Sequence, residues 1–273
     1  TYFSQNLCVA DDVNIGNDTT DSQVAEGAGT FNLATNTVTY AQNIYEKLYP
    51  ASTTKILTAY IALKYGNLED YVTVSENAAN QASDSSVCGL KAGDVVQLKD
   101  LLYGMMLKSG NDAAIAIAEH IGGSVEGFAD MMNQRAQELG CVNTHFVNAS
   151  GMPDENHYTT VYDIYLMLKE ALNYPEFTDI TQMSSYTVTY KHSDGSDAST
   201  TLTATDHYLT GEATTPKDVT ILGGKTGTTD KAGNCLALLS QNAYGKPFIS
   251  IVMGASSKDV LYQEMTSLLQ NIN

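Results

Sequence analysis

The residue pattern predicts an α+β fold: a mostly antiparallel sheet with helices on its faces and a helical lobe inserted between its strands. Three observations lead there. Segments of alternating polarity stand near both ends of the chain, the stretch between them repeats its apolar residues at three- and four-residue spacing, and 273 residues at 43% hydrophobic can bury a sizeable core. That length suits one large domain or two small ones.

Taken in order, residues 1–23 are rich in Asp, Asn and Thr and read as a loose N-terminal arm, with a single domain over 24–273 and the helical subdomain over about 65–172. Gly29–Leu33 and Thr37–Tyr40 alternate around Ala34–Asn36, the signature of a hairpin. After Pro50, Ile56, Leu57, Tyr60, Ile61 and Lys64 keep helical spacing up to Gly66. A second helix carries Leu98, Leu101, Leu102, Met105 and Met106 and stops before Ser109–Asp112; a third runs from Ala113 to Gly122. Ser124 caps a fourth, with Phe128, Met131, Met132 and Leu139 inward and Gly140 at its end. Thr160 and Asp163 form the outline of a capping box ahead of Ile164, Met167, Leu168, Ala171 and Leu172. Beyond Pro175 the period changes. Tyr186–Tyr190 and Thr200–Thr203 flank a polar turn, and Val219–Thr228, Asn234–Ser240 and Lys246–Met253 read as three successive strands. An amphipathic helix with Leu261, Met265, Leu268 and Ile272 closes the chain. This order suits one mixed sheet, mostly antiparallel.

Composition narrows the function. The chain holds 31 Asp plus Glu against 14 Lys plus Arg, a formal net charge of −17. Such a surface repels phosphate backbones and anionic membrane faces, which argues against nucleic acid as a partner and against peripheral membrane binding. The longest apolar runs fall far short of the ~20 residues that span a bilayer. The chain begins at Thr1 without a basic-then-apolar leader, the expectation for a mature secreted form or a trimmed chain. Cys8, Cys88, Cys141 and Cys235 lie far apart; buried free thiols are the favoured reading over a disulfide pair. The five histidines show no close ligand spacing, so no metal or other cofactor is expected.

Three short motifs carry chemistry. Ser52 and Lys55 stand three apart at the start of a helix, on one face, so the lysine amine reaches the serine hydroxyl. A serine needs a neighbouring base to become a nucleophile, and a buried lysine with a depressed pKa can serve. Read alone, the tetrad also fits a serine cap with a solvated lysine one turn on. Ser109 and Asn111 sit in the tight break between two apolar helices, which can push both side chains into a cleft; alone they also fit loop residues satisfying nearby backbone. Gly223–Thr228 ends an apolar strand. It fails the phosphate-loop pattern, because Asp218 occupies the first glycine position and a strand follows. Small glycines on a strand instead let a ligand's backbone lie close, while Lys225 and Thr226 offer a cation and a hydroxyl to an anion; alone the run also fits a hairpin turn.

Ser-x-x-Lys, Ser-x-Asn and Lys-Thr-Gly, in this order, with Ser52 and Ser109 57 residues apart and Ser109 and Lys225 116 apart, resemble the signature of penicillin-binding proteins and serine β-lactamases. The stretches Pro50–Ala59, Leu101–Ala114, Asn143–Gly151 and Gly224–Leu236, with Ser85 and Ser86 ahead of Leu90–Asp94, are similar to the serine D-alanyl-D-alanine carboxypeptidases, the low-molecular-weight penicillin-binding proteins of peptidase S11 type. The resemblance runs from about residue 25 to the C-terminus.

It implies the β-lactamase/transpeptidase-like fold, with a five-stranded sheet. It implies removal of the terminal D-Ala from peptidoglycan stem peptides outside the cytoplasm, in a secreted or cell-envelope setting tied to cell wall and cell shape. Ser52 would attack the penultimate D-Ala carbonyl with Lys55 as base, and the backbone N–H groups of Ser52 and Thr228 would form the oxyanion hole. Ser109 would relay the proton to the leaving group, and Lys225 would add positive potential. Asn111 would hold the substrate amide, with Thr226 and Thr228 on the terminal carboxylate and Gly227 between them. β-Lactam antibiotics would acylate Ser52 and leave slowly. Two departures stand out. Arg135 is the one arginine in the chain and lies far from all three motifs, so threonine hydroxyls and Lys225 must stand in for any arginine clamp. The family's C-terminal β-rich domain and membrane-attaching tail have no counterpart here, so any membrane attachment would need segments absent from this chain.

Two alternatives differ in chemistry. A class A β-lactamase would carry a Glu-x-x-Leu-Asn loop about 35 residues past Ser109; residues 145–154 lack it, leaving Asp154 or Glu155 as substitutes, and rapid multiple turnover of a penicillin would mark it. A catalytically silent wall-binding homologue would keep peptidoglycan binding without acylating Ser52.

Overall fold

The computed structural model describes residues 6–10, 15 and 25–273. The chain opens with the expected hairpin, β1 (Gly27–Asn32) against β2 (Thr37–Gln42), pinched by a bulge between Thr30 and Phe31. Its partners come from the far end: β7 (Thr220–Thr229), β8 (Gly233–Gln241) and β9 (Pro247–Ala255). These form a five-stranded antiparallel sheet in the order β2-β1-β9-β8-β7. Strand β8 is buried on both faces, which explains its unbroken apolar run: Cys235, Ala237 and Leu239 face one cluster, Leu236 and Leu238 the other.

The second of those clusters is completed by helix α9 (Lys258–Gln270), whose Leu261, Met265, Leu268 and Leu269 cover one face of the sheet. Ser257 starts it by accepting the Val260 N–H. The opposite face receives α1 (Lys55–Tyr65) and α6 (Val161–Ala171), packed on Phe31, Ile249 and Ile251. Between these two lie α2 (Glu76–Ala79), α3 (Leu98–Leu107), α4 (Asn111–Gly122) and α5 (Val125–Glu138). The caps follow the sequence: Ser124 accepts from Gly127 N–H, and Gly66 and Gly123 end α1 and α4. Helix α4 begins at Asn111 rather than Ala113, because Gly110 takes the N-cap position. At Thr160 only half of a capping box forms. Its hydroxyl accepts the Asp163 N–H, but the Asp163 carboxylate turns to Asn143 N and Thr144 Oγ1.

The single mixed sheet is a correction. Short strands β3 (Tyr71–Thr73) and β4 (Val95–Gln97) join the hairpin β5 (Ser185–Lys191) and β6 (Asp197–Thr203) in a second, four-stranded sheet of order β3-β4-β5-β6. Its pairings are also antiparallel. Two three-residue strands are too short to show a period, so nothing in the sequence separated this hairpin from the main sheet. Helix α7 (Pro175–Thr181) leads from α6 into β5, and α8 (His207–Thr210) links β6 to β7 and so joins the two sheets. Among the described residues, no helix is long and apolar enough to cross a membrane.

The N-terminal arm over 1–23 falls mainly outside the described residues. Its described part is docked rather than loose: Cys8 is buried with its N–H on the Tyr165 hydroxyl, and Ile15 pairs with Ala41. All four cysteines are free thiols; Cys8, Cys141 and Cys235 are buried and Cys88 is half-buried.

Candidate active site

Ser52 lies in a 3-10 turn, Ala51–Thr54, that runs straight into α1. A residue three along from Ser52 therefore returns to the same side, and Lys55 Nζ lies within hydrogen-bond distance of Ser52 Oγ, at 2.8 Å. The turn is forced from behind. Ala51 has φ +50, a left-handed value rare for alanine, and Gly151 presses against it so closely that a methyl group there would stand 2.0 Å from the Ala51 carbonyl oxygen. Gly151 has φ +97, which favours glycine independently.

The second motif comes from the α3–α4 connection. Ser109 holds φ +61, which turns both its hydroxyl and its carbonyl toward the lysine. Lys55 Nζ reaches Ser109 Oγ at 3.1 Å, Ser109 O at 3.2 Å and Asn111 Oδ1 at 2.7 Å. The third motif lies on β7, an edge strand whose open side faces the cleft. A methyl on Gly227 would sit 2.7 Å from Ser52 N, and one on Gly224 would sit 1.9 Å from the Ala237 carbonyl oxygen. Only glycine lets this strand pass between β8 and the nucleophile turn.

All eight predicted site residues converge. Ser52, Ser109, Asn111, Thr226, Gly227 and Thr228 line one cleft of about 660 Å3, and the two lysines stand behind its wall. Lys55 is wholly buried and Lys225 nearly so. Lys225 Nζ donates to the Thr226 carbonyl oxygen at 2.8 Å and reaches Lys55 through its charge. Burial, then the Lys225 charge, hold the Lys55 amine well below the usual lysine range. Burial brings Lys225 down to about 7 against the opposing pull of Asp206.

A neutral Lys55 has two N–H donors and one lone pair. Asn111 Oδ1 and Ser109 O can only accept, so they take both N–H groups. The lone pair is left for a hydroxyl, and Ser52 Oγ is the nearer of the two. The arrangement is that of a base poised on a serine.

The sequence reading passed over several residues. Asp112 is buried and its carboxylate accepts from the N–H groups of Cys88, Gly89, Leu90 and Ala113, tying the Ser85–Ser86 wall of the cleft to the start of α4. Its place directly after Ser109-Gly-Asn was the available signal. Thr205 also lines the cleft, and its hydroxyl lies 2.6 Å from that of Thr226. Asp206 beside it is buried, and burial raises its carboxyl to about 6. No motif marks this pair. Arg135 is far from the cleft, bound to the Tyr60 hydroxyl, Glu138 and Glu170. Asp154 and Glu155 are exposed and do not line the cleft.

Comparison with known proteins agrees with this geometry. The family description of D-alanyl-D-alanine carboxypeptidases, peptidase S11, matches residues 17–257. The chain is 35% identical over 242 residues to the D-alanyl-D-alanine carboxypeptidase DacF of Bacillus subtilis, covering 86% of this chain and 58% of the relative. It is 34% identical over 238 residues to DacC of Escherichia coli, covering 83% and 56%. The chain thus spans somewhat over half the length of these relatives. Among solved structures, the Streptomyces K15 DD-transpeptidase superposes with a TM-score of 0.83 at 29% identity, over 90% of this chain and 95% of that one. DacD from Francisella tularensis gives a TM-score of 0.81 at 28% identity, over 96% and 73%. By fold, by site geometry and by sequence, the chain belongs to the D-alanyl-D-alanine carboxypeptidase family, peptidase S11.

Proposed function

We propose that this chain is a serine D-Ala-D-Ala carboxypeptidase that trims the terminal D-Ala from peptidoglycan stem peptides. The observation that carries the reading is the convergence of Ser52, Ser109 and Asn111 on the buried amine of Lys55. A stem peptide lies along the open edge of β7, as an added strand. Its terminal carboxylate meets the hydroxyls of Thr226 and Thr228 beside Lys225, in place of an arginine. Asn111 Nδ2 is directed away from Lys55, toward Met152 Sδ at 3.5 Å, and holds the substrate amide in the cleft.

Ser52 Oγ attacks the penultimate D-Ala carbonyl carbon and passes its proton to Lys55 Nζ. The oxyanion is held by the N–H groups of Ser52 and Thr228. As the C–N bond breaks, the proton travels from Lys55 through the Ser109 hydroxyl to the departing D-Ala amine. Water then splits the Ser52 ester, yielding the shortened peptide and regenerating the serine. Such general base work contributes about 100- to 10,000-fold. A β-lactam offers the same amide and carboxylate and is expected to acylate Ser52 and leave slowly; neither Asp154 nor Glu155, the substitutes for a class A lactamase's glutamate, lines the cleft. Peptidoglycan places the work outside the cytoplasm, at the cell wall.

The test is D-Ala release from a diacylated Lys-D-Ala-D-Ala tripeptide, followed beside Ser52→Ala. The reading expects release by the wild type and none by the variant; equal release by both would refute it.

A further inference from the structure

His157 is wholly buried in the loop over residues 143–160, outside the three motifs, yet its ring bonds directly to the nucleophile turn. Nδ1 accepts the Val147 N–H at 3.0 Å, and Nε2 lies 2.8 Å from Thr54 Oγ1. These two contacts fix the tautomer. A ring nitrogen that accepts carries no proton, so the proton of the neutral ring sits on Nε2 and is donated to Thr54. Burial brings His157 down to about 4, with Asp154 acting in the opposite sense and His145 in the same sense, so the neutral form holds at neutral pH.

Thr54 stands between Ser52 and Lys55 and is itself buried in the 3-10 turn. The same loop is fastened to this region at other points. Thr58 Oγ1 donates to the Ala149 carbonyl oxygen at 2.8 Å, Gly151 presses on Ala51, and Thr159 pairs with Leu48. Those contacts fix the loop to its surroundings. Among these contacts of the loop, the His157 bond is the one that grips a side chain inside the Ser52–Lys55 turn, that of Thr54.

We propose that His157 is a positioning residue, which acts through Thr54 to hold the Ser52–Lys55 turn in its attacking geometry. The proposal rests on the reading of Ser52 as the acylated nucleophile. The bond that matters is Nε2–H to Thr54, not the packing of the ring on Phe146.

Asparagine and glutamine separate the two contacts. The amide of His157→Asn reaches the Nδ1 position and keeps the Val147 contact while losing Thr54. That of His157→Gln reaches the Nε2 position and keeps Thr54. The rate of acylation by benzylpenicillin, read by intact mass, and kcat and KM for the tripeptide are measured for both. His157→Asn is expected to lose about tenfold or more in acylation rate and in kcat with KM unchanged, and His157→Gln to stay within about threefold of wild type. Thr54→Val removes the acceptor from the other side and should reproduce the loss even if His157→Asn folds poorly. Combining it with His157→Asn should add nothing further. Equal rates for the Asn and Gln variants, a lower rate for Gln than for Asn, or an unimpaired Thr54→Val would each overturn the proposal while leaving the nucleophile assignment intact. A wild-type chain that forms no adduct on Ser52 would overturn the functional reading and this proposal with it.

Discussion

Lys55 and Lys225 are buried together beside the cleft, at a cost in stability. Each is desolvated, and the Lys225 charge further disfavours a charge on Lys55. An unfolded lysine holds its proton to about 10.5, whereas folded Lys225 releases its own at about 7. Between those values the unfolded chain binds more protons, so stability rises with pH across the window and the penalty is fully present below about pH 7. Lys225→Met carries no charge to desolvate. It is expected to melt above wild type at pH 6, by a margin that shrinks toward pH 10; a margin independent of pH would contradict this. The proposed mechanism needs different charge states on the two lysines, neutral Lys55 and protonated Lys225. The kcat/KM profile should therefore fall on its alkaline side near pH 7, and Lys225→Arg should move that fall upward. An unmoved alkaline limb would assign it to another group. At this scale the sequence was most legible where three short motifs stand in order, since Ser52 and Lys55 read alone also fit a capped helix start. It was silent on His157, Thr205 and Asp206, because their roles come from long-range packing that no local spacing records.

At the scale of elements, the site is a meeting of three backbone segments with almost no room between them. Gly227 lies against the Ser52 turn, and added bulk there must push the strand from the nucleophile. Gly227→Ala is expected to lose at least about 100-fold in acylation rate, the order seen when reacting groups shift by an ångström; near-normal acylation would show that the turn and β7 can separate freely. Asp112 fastens the opposite wall. Asp112→Asn turns an N–H2 group toward backbone donors and should destabilise the chain by about 2 kcal/mol in urea unfolding. An unchanged midpoint would mean that this carboxylate carries little of the wall. The helix starts were readable from Ser124 and Thr160 because capping chemistry is local. The start of α4 was misjudged by two residues because Gly110, not a hydroxyl or amide side chain, fills the cap.

On the scale of the molecule, the five-stranded sheet is held from two sides, and the cleft opens at its β7 edge. The first turns of α9 reach the cleft through Lys258, Leu261 and Tyr262, whereas Leu268 lies two turns further along and does not line it. Leu268→Ala, in the cluster beneath α9, is expected to lower stability by about 2–5 kcal/mol with kcat unchanged; a parallel fall in kcat would show coupling between that layer and the cleft. The alternation of the β1–β2 hairpin and the unbroken apolar run of β8 made the main sheet legible. The second sheet stayed hidden because β3 and β4 have only three residues each. Against a net charge of −17, the cleft wall conceals two of the 14 basic residues, Lys55 and Lys225. The most direct test of the whole account is intact-mass analysis after exposure to benzylpenicillin, with peptide mapping of the adduct. The account predicts one penicilloyl group per chain, attached at Ser52 and persisting for many minutes, and none on Ser52→Ala. An adduct on Ser52→Ala, or none on the wild type, would contradict it.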